Sequence, residues 1–442
     1  MKRVACKPMV GFCLIGSLFV GGLVGTTATA QHRTELPQVK PEAVGFSSER
    51  LRNLDLLMRR LVDEKDFAGI VTIAARHGKV FQSQAYGLRD IASQAPMQKD
   101  SIFRLYSMTK PVTGVAMMIL YEEGKWSPGD PISKYIPEFA NLKVLKGYDE
   151  QGKMLLEDPV HPPTLRELMT HTAGFGLGFG NSAQDKLYQD ENGHNRIMEA
   201  PSLEEMIHRL AKLPLLYQPG TRWVYGVSMD IQGYLVEKLS GKPFPQFLKE
   251  RIFDPLGMSD TDFYVPKEKW GRFASCYRRT DQGELVSTPN VIPSFQFDRE
   301  PPLASGGGGL VSTAGDYLKF AQMLLNGGEL GGVRILGPKT VDLMREDHLA
   351  QPLTMTETLG GSALGMRWGY DVSVITDPAL MGCPCGKDTY WWGGAAGTWF
   401  WIDPANDLVF VGMVQRLGNI LAPDPLALSQ ATLYQALVDP KK

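Results

Sequence analysis

Leucines at positions 51, 54, 56, 57 and 61 recur at near-helical spacing, so an amphipathic helix is predicted after a polar opening that runs to about Ser48. Two β-rich runs follow, Gly69 to Ala75 and Val80 to Tyr86, joined by His77-Gly78-Lys79. Two such runs around a short glycine turn predict a hairpin, which makes His77 a turn residue and not a ligand. From Ile102 to Leu239 the pattern is mostly helical, with Val112 to Tyr121 apolar enough for a buried helix and a glycine-rich loop from Thr172 to Gly180. A polar, irregular stretch from Thr280 to Pro302 leads into four glycines at 306–309. These predict a tight backbone turn; no Gly-Lys-Ser/Thr follows to make a phosphate cradle. Ser312-Thr313-Ala314-Gly315-Asp316 is a capping segment for an amphipathic helix through Leu325. Gly397 to Ile402 and Leu408 to Val414 then flank Asp403-Pro404-Ala405-Asn406 as a second hairpin, and a last helix is expected from about Asp424 to Val438.

Strands therefore sit near both ends with helices between and after them. The simplest packing is an α/β (α+β) fold in which one antiparallel sheet, built from both chain ends, is flanked by helices. The central segment, roughly residues 100–290, would form a mainly helical lobe, with a binding crevice between lobe and sheet.

Composition narrows the classes. The 442 residues carry 46 Lys+Arg against 48 Asp+Glu and are 43% hydrophobic, which excludes a disordered chain and argues against a nucleic-acid partner. The first residues stand apart: Lys2, Arg3 and Lys7 precede an apolar, glycine-broken run from Pro8 to Val24 and then Ala28-Thr29-Ala30. This is the pattern of a cleaved signal peptide over 1–30, too short for a membrane span. Residues 31–442 are then one exported two-lobed unit, periplasmic or secreted, and the loss of three positive charges takes the formal net charge from -2 to -5. Cys276, Cys383 and Cys385 remain; an oxidising compartment would let Cys276 pair with one of the other two. A Cys-Pro-Cys metal site lacks a nearby histidine, so a structural disulfide or inert thiols are expected.

No Gly-x-Ser-x-Gly occurs; Gly360-Gly361-Ser362 comes close, but its closing glycine falls one residue late. His-Glu-x-x-His and a dinucleotide glycine motif are also absent. Ser107-Met108-Thr109-Lys110 stands at the mouth of the buried helix. At i and i+3, Ser107 and Lys110 share a helix face if the helix begins at Ser107. A serine hydroxyl needs a base to take its proton, and a lysine can serve once burial weakens its hold on its own proton. A helix N-terminus also offers N–H groups to developing negative charge.

Phe103-Arg104-Leu105-Tyr106-Ser107-Met108-Thr109-Lys110-Pro111 resembles the nucleophile segment of the serine β-lactamase-like superfamily, which includes class C β-lactamases, penicillin-binding DD-peptidases and family VIII carboxylesterases. Leu165-Arg166-Glu167-Leu168-Met169-Thr170-His171-Thr172-Ala173-Gly174 and Pro219-Gly220-Thr221-Arg222-Trp223-Val224-Tyr225 resemble further segments of that family, in the family's order. The resemblance implies a β-lactamase/DD-peptidase-like fold and makes Tyr225 the second base, whose phenolate takes the Ser107 proton and hands it to the leaving group. Val227 stands where the family has Asn. Trp392-Gly393-Gly394 stands where it has Lys-Thr-Gly, in the manner of family VIII esterases. Carried over residue by residue, the oxyanion hole is formed by the N–H groups of Ser107 and Ala395. Trp392, Gly393, Gly394 and Val227 line the substrate site. His171 becomes structural, and Arg416 a solvated strand end; Trp399 and Trp401 share a face that is either core or pocket wall.

The implied activity is hydrolysis of a small-molecule carboxylic ester through an acyl-enzyme, with no metal or cofactor. The alternatives are a β-lactamase or D-amino-acid peptidase/amidase, and a non-catalytic cell-wall-binding relative.

Overall fold

The computed structural model of the protein describes Met1 and residues 34–288, 295–355, 363–418 and 424–441; the expected signal peptide and Ser362 lie outside the described residues. Helix α1 (Ser48–Asp63) forms where the leucine spacing predicts it, with the Ser47 side chain accepting the Arg50 N–H as N-cap. Leu51, Leu54, Leu57, Met58 and Leu61 are buried, while Leu56 points outward. Strands β1 (Gly69–Arg76) and β2 (Lys79–Asp90) make the first hairpin, with His77 in the left-handed turn and β3 (Ala95–Pro96) beyond. The C-terminal part supplies β4 (Met366–Trp368), β5 (Ser373–Ile375), β6 (Thr389–Gly393), β7 (Trp399–Asp403) and β8 (Leu408–Met413). All eight form one antiparallel sheet in the order β4-β5-β6-β7-β8-β1-β2-β3. The two chain ends meet mid-sheet, where β8 pairs with β1 from Val71↔Met413 to Arg76↔Leu408.

The central strands are buried on both faces. On one face Trp399 and Trp401 lie under α1 and the last helix, α6 (Pro425–Tyr434), which ends earlier than the pattern suggested. Trp399 Nε1 donates to Ser429 Oγ at 3.1 Å and Trp401 Nε1 to Tyr434 Oη at 3.2 Å, so both indoles are core. Gly412 makes this possible: a Cβ there would sit 2.1 Å from the Trp399 ring. The other face packs on α5 (Ala314–Leu325), capped by the Thr313 side chain on the Asp316 N–H.

Between the sheet-forming ends lie α2 (Thr109–Glu122), α3 (Leu165–Met169) and α4 (Ser228–Ser240). This region is less purely helical than its pattern implied. Val144–Tyr148 pairs with Met154–Glu157 as a small hairpin, and Tyr277–Arg279 pairs with Leu285–Ser287 and, in parallel, with Arg416–Leu417 as a small three-stranded sheet. Helix α2 is buried from Thr109 to Leu120, on all sides, as expected of an apolar helix inside a domain. Among the described residues, no helix is long and apolar enough to cross a membrane.

Two expectations need correction. Cys276 pairs with neither of the other cysteines: Cys383 and Cys385 bond to each other, with Cα atoms 5.3 Å apart. Cys276 is enclosed beside Arg104, where burial pushes its thiol up to about 11. Arg416 is no solvated strand end; it is 3% exposed, donates to the Asp66 carbonyl and lies over the Phe67 ring.

Candidate active site

From Ser101 to Leu120 every residue is buried except Ser107, which is partly open. The short strand Phe103–Arg104 pairs with Val311–Ser312, and Leu105 continues the pairing by donating to the Leu310 carbonyl at 2.9 Å. Tyr106 then turns into the left-handed region at φ 46°, a conformation that is costly for a bulky side chain, and Ser107 follows in a single 3-10 turn, Tyr106–Met108. Helix α2 thus begins at Thr109, two residues later than the pattern alone suggested. Ser107 still reaches its partner: Lys110 Nζ lies 3.1 Å from Ser107 Oγ.

Lys110 is 3% exposed. Its Nζ donates to the Gly307 carbonyl at 2.5 Å and stands 4.7 Å from the centre of the Tyr225 ring. The glycine run at 306–309 is the predicted tight turn, packed where side chains have no room. A Cβ on Gly306 would lie 2.2 Å from the Met229 carbonyl oxygen, and one on Gly309 2.8 Å from that of Ser305. What the turn cradles is the lysine.

Tyr225 is half-buried, and its hydroxyl accepts a hydrogen bond from Trp392 Nε1 at 3.2 Å. Neighbours on both sides fix it. The His171 carbonyl accepts the Val224 N–H at 2.8 Å, His171 Nδ1 accepts the Gly226 N–H at 3.3 Å, and the two rings lie 4.8 Å apart. Burial, then the nearby Lys110 charge, drives the His171 imidazole well below its usual pKa, so it stays neutral with its proton on Nε2. The structural role expected of His171 therefore has a definite form: it brackets Tyr225.

The third segment ends at the same place. Gly393 is open, with the Thr398 carbonyl oxygen 3.1 Å from where its Cβ would be. Gly394 serves a different purpose from the substrate approach expected of it: a Cβ would stand 2.1 Å from the Leu105 carbonyl oxygen. The Thr398 hydroxyl donates to that same oxygen at 3.2 Å, so the strand and the nucleophile segment are locked together. The turn carrying Ala395 closes with Gly394 N–H to Thr398 O at 2.7 Å and Gly397 N–H to Gly394 O at 2.8 Å, and Arg416 N–H binds the Ala396 carbonyl at 2.9 Å. Among the described residues, no backbone carbonyl takes the N–H of Ser107 or Ala395, the condition an oxyanion hole requires. Val227 is wholly buried at the start of α4, its N–H bound to Gly176 O, and it presents no surface to a ligand.

Sequence reasoning passed over two carboxyls. Asp230 on α4 accepts the Ser305 hydroxyl at 2.5 Å and the Gly307 N–H at 3.1 Å, both on Oδ1. Asp371 accepts from Gln232 Nε2 at 3.1 Å and packs against Gly114, whose Cβ would lie 2.9 Å from it. Both are wholly buried, which raises both above the usual carboxylate range, Asp371 far above it; the Lys110 charge opposes the rise. The available signal was an acid standing inside an apolar helical run, Met229-Asp230-Ile231, close after Tyr225.

Fold and site together define a class. The family model described as Beta-lactamase matches residues 54–432, and the chain belongs to that family. It is 30% identical to esterase EstB of Burkholderia gladioli, in an alignment covering 80% of this chain and 88% of the esterase. It is 32% identical to a lovastatin esterase of Penicillium rubens, covering 84% of this chain and 95% of that one. Among solved structures it resembles EstCE1, described as a hydrolase with promiscuous acyltransferase activity, at 26% identity and a TM-score of 0.71, covering 87% of this chain and 99% of that one.

Proposed function

We propose that the protein is a serine hydrolase of carboxylic esters that works through an acyl-enzyme on Ser107. The observation that carries this reading is the contact of Lys110 Nζ with Ser107 Oγ at 3.1 Å, at the one opening in an otherwise buried segment. Acting as the base, Lys110 keeps an N–H bond to Gly307 O while the lone pair on Nζ takes the Ser107 proton. Oγ bonds to the ester carbonyl carbon, and the carbonyl oxygen becomes an anion facing the N–H groups of Ser107 and Ala395. The proton passes to the alkoxide through Tyr225, whose oxygen is held by Trp392, and the C–O bond breaks. Water repeats the sequence, frees the acid and restores Ser107.

Trp392 supports esters over β-lactams or peptides: it puts a neutral indole N–H on Tyr225 in place of the family's lysine, and leaves a substrate carboxylate without that cation. Residues 1–30 read as an export signal, and the Cys383–Cys385 disulfide fits an oxidising compartment. Acyl transfer to an alcohol in place of water is a second reading, favoured by the likeness to EstCE1. The test is hydrolysis of short-chain nitrophenyl esters, with nitrocefin alongside. Ester turnover far above nitrocefin turnover, lost in Ser107→Ala, is expected; the opposite ranking would reassign the protein as a β-lactamase.

A further inference from the structure

Resting on that reading of Ser107 and Lys110, we propose that Asp230 is a positioning residue: through the Gly307 carbonyl it orients Lys110, and its charge steadies the ammonium that forms when Lys110 takes the Ser107 proton.

The structure connects them through a short chain of contacts. Asp230 Oδ1 holds the turn at both ends, by the Ser305 hydroxyl at 2.5 Å and the Gly307 N–H at 3.1 Å, and the Gly308 N–H binds Ser305 Oγ at 3.1 Å. Two donors on Oδ1 leave no proton on that oxygen and favour the carboxylate, against the pull of burial. The turn so fixed presents Gly307 O to Lys110 Nζ at 2.5 Å, and the Thr113 hydroxyl of α2 ties down Gly306 O at 2.8 Å. Gly307 has to be glycine, because a Cβ would stand 2.8 Å from Asp230 Oδ2. Four titratable groups face Lys110 from the elements packed on α2: Tyr225 before α4, His171 after α3, Asp230 on α4, and Asp371 between β4 and β5. His171 is neutral, and burial holds Asp371 far toward its protonated form with Oδ2 lacking a partner among the described residues. Asp230 accepts two hydrogen bonds that favour its charged form where Asp371 accepts one from Gln232, and it is the carboxyl linked to the lysine through a single residue.

Placing a negative charge beside Lys110 matters most when the lysine becomes a cation, so its removal weakens the base without touching substrate. The test compares Asp230→Asn and Asp230→Ala with Ser107→Ala and Lys110→Ala on nitrophenyl esters across pH. Because both bonds fall on Oδ1, Asn keeps the turn and removes only the charge. For Asp230→Asn, kcat is expected to fall about tenfold with KM nearly unchanged, and the acid limb of the pH profile to move to lower pH. Asp230→Ala also frees the turn, and a loss nearer a hundredfold is expected. Wild-type kcat with an unmoved acid limb in Asp230→Asn overturns the proposal. If that variant does not fold, Ser305→Ala decides: a fall in kcat of a few-fold supports it and an unchanged kcat overturns it. Full activity in Ser107→Ala or Lys110→Ala overturns the site itself, which separates the two failures.

Discussion

Trp399 and Trp401 lie on one face of the sheet and Trp392 on the other, close in sequence and almost equally hidden. Their N–H groups are spent differently. Those of Trp399 and Trp401 bind Ser429 and Tyr434 on α6, and Trp401 stacks on Phe410 with ring centres 4.3 Å apart, so the outer face is packing alone. Trp392, paired across the ladder with Phe400, gives its N–H to Tyr225 beside Lys110. The alternation of a strand turns one residue type into a structural part on one side and a part of the site on the other. The contrast says where function is expected to be sensitive and where only stability is.

The largest separation is expected at Ser107. Ser107→Ala removes the nucleophile and should abolish ester hydrolysis with the melting temperature essentially kept; residual full activity would break the contrast at its root. Trp401→Ala should act in the opposite sense, losing about 3–5 kcal/mol in urea unfolding while the folded fraction keeps the wild-type kcat. A drop in kcat per folded molecule would show that the outer face reaches the chemistry. Lys110→Ala and Tyr225→Phe should each lower turnover by about a hundredfold or more, in steady-state assays of folded protein. Little change in either would mean that another base serves Ser107. The sharpest comparison is the smallest in effect: Trp392→Phe keeps the aromatic ring and loses one N–H, so kcat should fall about tenfold while thermal stability changes little, the value of a single hydrogen bond.

The parts legible from sequence are those that local rules decide. The α1 leucines, the β1–β2 hairpin, the Thr313 cap and the glycine turn at 306–309 each rest on neighbours a few residues away. Ser107 and Lys110 were legible for the same reason, being one helical step apart and set in a segment resembling a known family. What escaped was set by packing across the fold. Gly394 looked like a place for substrate because its reason, the Leu105 carbonyl, lies far away in the chain. Val227 was expected to line the substrate site from its place in the resembling segment, yet its side chain is wholly buried in the core. Arg416 looked exposed at a strand end; Asp66 and Phe67, from the other end of the chain, cover it. The expected partner for Cys276 was Cys383 or Cys385; those two bond to each other and Cys276 is a buried free thiol. Asp230 belongs with these, since its effect on Lys110 passes through a glycine more than seventy residues away in sequence.

Catalysis by Ser107 requires a covalent acyl intermediate on its Oγ. Rapid quenching of the protein with a slowly deacylating carboxylic ester, followed by intact-mass and peptide mass spectrometry, tests it directly. One added acyl group per molecule is expected, on the peptide containing Ser107, and none in Ser107→Ala. An active enzyme whose acyl group is found on another residue would contradict it.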